Sequence, residues 1–238
     1  MKGHLFPPPW FLTLATLTVG ALVAGGFAQT VRPVIVQYDG TARGKFELVN
    51  NGLRPVNVVL KPRGFTVTED GKGIYQPLAS EIHLKLSASS FRIPPRQSRF
   101  VFYEAHADRL PAWFVIYSVF AGAAHQSSVN IQIELPHTVY LLQKESLKRQ
   151  DVSVESARYL PDQRRAVILL ANKSSKLGRV LEWQIGSKRN KNSNAGFPLL
   201  PRSRRRLEAE WDGPNPPNMF WIHFEHFSVA EELSASPD

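Results

Sequence analysis

Between residues 129 and 142 the chain reads V-N-I-Q-I-E-L-P-H-T-V-Y-L-L, and this alternation constrains the fold more than any other stretch. Val129, Ile131, Ile133 and Leu135 alternate with Asn130, Gln132 and Glu134, so an extended backbone carries an apolar row on one face and a polar row on the other. Such a row has two uses. It packs into the protein's own core, or it is presented to another chain as a strand to pair with. The second use describes a strand-lending binding protein rather than an enzyme.

Residues 1–28 have the layout of a secretory signal: Lys2 near the start, an apolar run over residues 10–24, then small residues closing on Gly26-Phe27-Ala28. Cleavage after Ala28 leaves Gln29 as the first residue. A membrane anchor is the competing reading, but the run is short against a span of about 20 residues and is interrupted by Thr13, Thr16, Thr18 and Gly20. Every later apolar run is broken by charge or proline, so the exported chain is read as not integral to a membrane.

About 210 residues remain, which suits two domains of roughly 100 each. Cysteine is absent from all 238 residues, so each domain is held by its apolar core, and thiol, haem-attachment and cysteine–zinc chemistry are excluded. The formal charge of +9, to which Lys2 contributes one, favours anionic partners. An export signal argues against nucleic acid as that partner.

From Gln29 onward, short alternating runs are bounded by turn residues, the pattern of an all-β chain. Strands are predicted over residues 32–38, 45–49, 56–60 and 65–68, with turns at Asp39-Gly40, Asn50-Asn51-Gly52, Pro62-Arg63-Gly64 and residues 69–73. Further strands follow over 82–86, 91–93, 99–103, 113–119 and 129–142. A charged segment, residues 143–150, reads as an interdomain linker. Strands resume over 152–159, 165–171, 179–185, 197–200, 206–211 and 220–227. The predicted organisation is a signal at 1–28, a domain at 29–145, a second at 146–228 and a frayed polar tail at 229–238. A weak internal echo supports tandem modules: Phe46-Glu47-Leu48-Val49-Asn50 and Ile168-Leu169-Leu170-Ala171-Asn172 each end a strand in asparagine before a polar turn. Two modules of about seven short strands fit immunoglobulin-like sandwiches, though spacing alone does not separate a sandwich from a small barrel.

The chain resembles the periplasmic chaperones of the chaperone–usher pathway, the PapD-like family. The residues that carry the resemblance are Tyr38-Asp39-Gly40 after the first strand, residues 46–50 ending in Asn50, Phe91-Arg92-Ile93-Pro94-Pro95, and the strand 130–135; residues 166–172 and 201–207 look like their counterparts in domain two. The resemblance spans nearly the whole exported chain through short motifs. It implies two tandem immunoglobulin-like domains and donor-strand complementation, in which the last strand of domain one fills the groove of a pilus or surface-fibre subunit lacking its final strand. Val129, Ile131, Ile133 and Leu135 then occupy the donor positions. It further implies periplasmic localisation, an outer-membrane usher as a second partner, no cofactor and no catalytic site. The family anchors the subunit's terminal carboxylate with a basic pair between the domains, but the matching positions here hold Ile35 and Tyr140. Arg32 and Lys144 are the nearest basic residues and are the candidates for that contact.

Other clusters have plainer readings. Arg202-Ser203-Arg204-Arg205-Arg206 and Lys188-Arg189-Asn190-Lys191 lack the interleaved aromatics of a single-strand nucleic-acid site and fit a charged turn and strand edge. In His223-Phe224-Glu225-His226 only His223 and Glu225 share a strand face, so no metal site is assigned. No nucleophile-elbow, phosphate-loop or zinc-protease motif is present. Besides the chaperone reading stands a structural or adhesive surface protein with the 129–142 strand in its own core, and a third reading is an enzyme whose site assembles only in three dimensions. Trp113, Trp183, Trp211 and Trp221 are expected in cores or at the domain junction.

Overall fold

The computed structural model describes residues 29–122, 132–187 and 189–235; the signal expected over 1–28 lies outside them. Ten strands come first: β1 (Gln29–Arg32), β2 (Ile35–Asp39), β3 (Ala42–Asn50), β4 (Val56–Val67), β5 (Gly73–Pro77), β6 (Ile82–Leu86), β7 (Ser90–Ile93), β8 (Gln97–Ala107), β9 (Ala112–Gly122) and β10 (Gln132–Leu142). They form one sheet in the order β1-β3-β8-β6 and another in the order β2-β10-β9-β4-β5, with β7 also on β4. After a 3-10 turn at Arg149–Asp151 come β11 (Val152–Leu160), β12 (Arg165–Asn172), β13 (Gly178–Gly186), β14 (Lys191–Leu199), β15 (Arg204–Glu210), β16 (Met219–Phe224), β17 (Ser228–Glu232) and β18 (Ser234–Ala235). Their sheets run β15-β12-β11-β18 and β14-β13-β16-β17. Over the described residues the chain is all-β and built as two tandem immunoglobulin-like sandwiches.

Each sandwich follows from alternation. In β3, Ala42, Phe46 and Leu48 are buried while Arg43 and Lys45 are exposed, so one face meets the core and the other meets water. Phe46, Leu48, Val101 and Tyr103 from one sheet pack with Val58, Phe114, Ile116, Val139 and Leu141 from the other. Burying each such side chain is worth about 1.5–3 kcal/mol, which is how a cysteine-free domain holds together. The second sandwich has its own core around Ile168, Leu170, Ile185, Phe220 and Ile222. In β13 a register shift between Val180 and Glu182 turns Leu181 outward and returns Trp183 and Ile185 to the core.

Two expectations are corrected. The turn expected at Pro62-Arg63-Gly64 is instead the middle of β4. Strand β7 pairs with β4 only as far as Val59, and β5 takes over only at Arg63. The Leu60 N–H donates to Ser89 O on that side, so the N–H that Pro62 lacks falls in the gap between the two partners. The polar tail expected over 229–238 is also overturned as far as residue 235. The chain reverses after Phe224, whose ring stacks on Phe227 with centroids 4.4 Å apart, and β17 pairs with β16. Val229 and Leu233 are buried there while Glu232 stays wet.

The sandwiches meet through a third apolar cluster in which Phe65, Val115 and Tyr140 contact Leu177 and Leu200. The Gln143 side chain makes a reciprocal pair with Leu177, donating to its carbonyl at 3.1 Å and accepting from its N–H at 3.2 Å. The Arg206 N–H donates to Glu69 O at 2.8 Å. The Arg205 guanidinium lies against Gly71, filling the space a side chain would take at that left-handed position (φ 86°).

Candidate functional site

Strand β10 pairs antiparallel with β9 from Gln132 to Leu141, but parallel with β2 only from Thr138 to Leu142. Residues 132–137 therefore have a strand on one side and, among the described residues, none on the other. This open edge exists because β1 belongs to the facing sheet, on β3, and the chain crosses to β10 only after Pro33.

Backbone polarity along that edge follows from the bonds beyond it. The Thr138 N–H donates to Val34 O at 2.7 Å and Leu142 O accepts from the Gly40 N–H at 3.1 Å. Alternate residues of a strand direct their backbone groups to the same neighbour, so even-numbered residues of β10 face the β2 side. Gln132 and Glu134 thus present N–H and C=O to the open side, and Pro136 presents a carbonyl only. The odd-numbered residues face the core. Ile133 and Leu135 are half-buried against the first sandwich, and Val139 and Leu141 are fully buried. Of the expected donor residues, Ile133 and Leu135 therefore lie on the open segment, while Val129 and Ile131 lie outside the described residues.

His137 has the same core-facing register. Its Nδ1 sits 2.6 Å from Pro33 O and its Nε2 3.1 Å from the Tyr103 hydroxyl, which is 3.1 Å from that of Tyr38. A carbonyl only accepts, so Nδ1 carries the proton, Nε2 accepts from Tyr103, and Tyr103 accepts from Tyr38. Burial pulls the His137 pKa below its ordinary value, the Pro33 carbonyl opposing this more weakly, and burial pushes the Tyr103 hydroxyl up. Sequence reasoning passed over His137. Its signal was a lone polar residue on the apolar parity of a strand, which must find partners when buried.

A cleft of about 740 Å³ opens where the domains meet, lined by Asp39, Gln143, Lys144, Leu177, Arg179 and Phe224 among others. Lys144 and Arg179 enter no ion pair among the described residues, and Arg179 was not singled out in the sequence because it sits on a strand of the other domain. The other residues considered for a carboxylate are placed elsewhere. The Arg32 Nε is 2.7 Å from Glu47 Oε2, which raises the guanidinium pKa and lowers that of the carboxyl. Ile35 is exposed on β2, and Tyr140 is buried in the junction, its hydroxyl pushed up to about 12 by burial with a smaller downward pull from Arg179.

The basic run lies on β15, a sheet edge, and is largely engaged. Arg204 pairs with Glu155 at 3.0 Å, Arg206 pairs with Glu208 at 2.6 Å, and Arg205 is turned to the junction. His223 bonds Ser228 Oγ at 2.9 Å, and among the described residues no group of three or more side chains is disposed to hold a metal. No helix among those residues is long and apolar enough to cross a membrane.

No family model matches the chain, and no curated protein does. Solved structures do. The SafB chaperone in complex with the SafA pilin from Salmonella enterica is similar with a TM-score of 0.54 at 10% identity, over 87% of this chain and 97% of that one. The YadV chaperone gives 0.52 at 10% over 86% and 96%, and the class 5 fimbriae chaperone CfaA gives 0.51 at 9% over 87% and 99%. At such identities the likeness is one of fold: the chain has the two-sandwich architecture of the fimbrial chaperones across nearly its described length.

Proposed function

We propose that this chain is an exported, periplasmic chaperone that captures pilus or surface-fibre subunits by lending them β10. The observation that carries the reading is the open edge of β10. An unpaired strand edge invites pairing, and native proteins ordinarily cover or blunt one. Gln132 and Glu134 offer complete backbone ladders and Pro136 ends them, so a subunit missing its last strand has a short, defined template. Ile133 and Leu135, with Val129 and Ile131 beyond the described segment, supply the apolar contacts, each worth about 1.5–3 kcal/mol when fully buried. Lys144, which lines the cleft together with Arg179, replaces Arg32 as the candidate for a terminal carboxylate, and an usher remains the expected second partner. The working unit comprises two domains divided at 145/146, and the reading needs no catalytic group.

The half-burial of Ile133 and Leu135 in the chain's own core favours the second reading, a spacer or adhesive protein that lends nothing. Changing Ile133 to Asp damages that core and so does not separate the two. Glu134→Pro does: it removes an N–H from the open side and leaves the β9 ladder intact. Purified from its exporting host, the wild-type chain is expected to carry a stoichiometric small β-rich subunit, and Glu134→Pro to lose it with a near wild-type melting profile. A variant that keeps its subunit in full, or a wild-type chain that is alone under all growth conditions, defeats strand lending.

A further inference from the structure

We infer that His137 is the positioning residue that fixes where the open edge of β10 ends, by holding the crossover at Pro33 so that β2 covers β10 from Thr138 onward. This rests on the strand-lending reading, because it sets where β2 closes over the strand beyond the lent residues.

The geometry places two bonds side by side. The His137 side chain holds Pro33 O at 2.6 Å, and the next residue's N–H, that of Thr138, holds Val34 O at 2.7 Å. The first residue paired across to β2 is Thr138, opposite Ile35. Upstream of this point the chain is bound to β3 in the other sheet, so the crossover has to leave one sheet and join the other within Pro33 and Val34. A fully buried side chain, 0% exposed, marks the spot. Its ring is immobilised from the facing sheet by Phe46, stacked at 4.5 Å and 21°. Its far nitrogen is occupied by Tyr103, and Tyr103 by Tyr38, whose hydroxyls approach Gly44 where any larger residue would collide with them. Every contact therefore serves to orient Nδ1 at the crossover carbonyl.

The groups facing His137 are Tyr103 from β8, with Tyr38 from β2 behind it, and the uncharged Phe46 from β3; among the described residues no carboxylate is a hydrogen-bond or ring partner of it. An imidazolium here gains no counter-charge. Because burial lowers the folded pKa, the unfolded chain takes up a proton near its ordinary value of about 6.5 while the folded chain resists. The stabilisation is complete above that value and is lost as pH falls below it.

Amide hydrogen exchange on the full chain, without any subunit, tests the inference separately from strand lending. In His137→Phe the ring stack survives and the Pro33 bond does not, so Thr138 is expected to exchange about fivefold faster or more, the equivalent of one lost hydrogen bond, with β11–β17 unchanged. In His137→Asn, Nδ2 takes the place of Nδ1 as donor, and protection of Thr138 is expected to return. Between about pH 7 and about pH 5 the wild-type protection should fall relative to core amides of β9, and that of His137→Asn should not. Unchanged protection of Thr138 in His137→Phe overturns the proposal, as does loss of protection in His137→Asn at pH 7. Should His137→Phe not accumulate, His137→Asn decides alone. Strand lending fails or survives independently, on subunit retention by Glu134→Pro.

Discussion

At Asn50 a single carboxamide holds together three pieces of chain. Its Nδ2 donates to Arg54 O at 2.8 Å, Pro94 O at 3.0 Å and Ile93 O at 3.2 Å, and its Oδ1 accepts from the Gly52 N–H at 3.1 Å. Asn172 repeats the arrangement in the other sandwich, donating to Lys176 O at 2.7 Å and Leu200 O at 3.0 Å and accepting from the Ser174 N–H at 3.0 Å. The offsets are the same, four residues to the first carbonyl and two to the N–H, and in both cases the remote carbonyls lie beside a proline. The asparagine echo in the sequence is thus a repeated staple between a strand end and the turn across from it. Both side chains are essentially buried, and a buried carbonyl left without its donor costs about 1–3 kcal/mol. Asn50→Ala should therefore lose at least about 2 kcal/mol in denaturant unfolding. Asn50→Asp should lose stability too, since a carboxylate cannot donate. An Asn50→Ala variant within about 0.5 kcal/mol of wild type would remove the staple from the account of stability.

At the scale of elements, β10 combines an apolar core-facing row with an open edge, and Pro136 sits where that edge would otherwise continue. Removing an N–H from the open side is a known way for proteins to keep edges from pairing with one another. Pro136→Ala restores the donor beside Glu134, lengthening the pairing template without touching the β9 ladder. The variant should self-associate more readily than wild type, as a concentration-dependent rise in sedimentation coefficient, and a strictly monomeric variant would argue that proline does not blunt this edge. The alternation of β10, like that of β3 and β6, was legible because each strand has one dry and one wetter face. What sequence did not reveal is which backbone side of β10 is free. That depends on a contact between His137 and Pro33, 104 residues apart. The run of β4 through Pro62 and Gly64 escaped for a similar reason: a proline two residues before a glycine reads locally as a turn, and only the neighbouring strands show that its missing donor faces a gap. In β17 the acidic pair Glu231-Glu232 hid a strand that buries just Val229 and, after it, Leu233.

At the scale of the molecule, strand lending of the proposed kind lets the open edge of β10 and the interdomain cleft act on one subunit only if the two sandwiches hold a fixed relation. Each has an independent core, so their relation rests on the junction: Leu177 and Leu200 against Phe65, Val115 and Tyr140, the Gln143–Leu177 pair, and Arg205 beside Gly71. Lys144 belongs to the segment leaving β10, whereas Arg179 lies on β13, so the cleft's two cations come from opposite sides of that junction. Truncating a buried leucine costs about 2–5 kcal/mol, and at this position the loss falls on docking rather than on either core. Replacing Leu177 and Leu200 together by Ser should leave the strand content by circular dichroism unchanged, yet enlarge the radius of gyration in solution scattering. It should also weaken subunit capture although β10 is intact, because a subunit paired along β10 no longer finds Lys144 and Arg179 at one distance. A double variant whose scattering superimposes on wild type would mean that the polar contacts alone, the Gln143 clamp and the Arg206–Glu69 bond, suffice to fix the angle. Capture lost with unchanged scattering would place the defect at the cleft surface itself, and Arg179→Ala, which leaves the apolar junction in place, should then reproduce it.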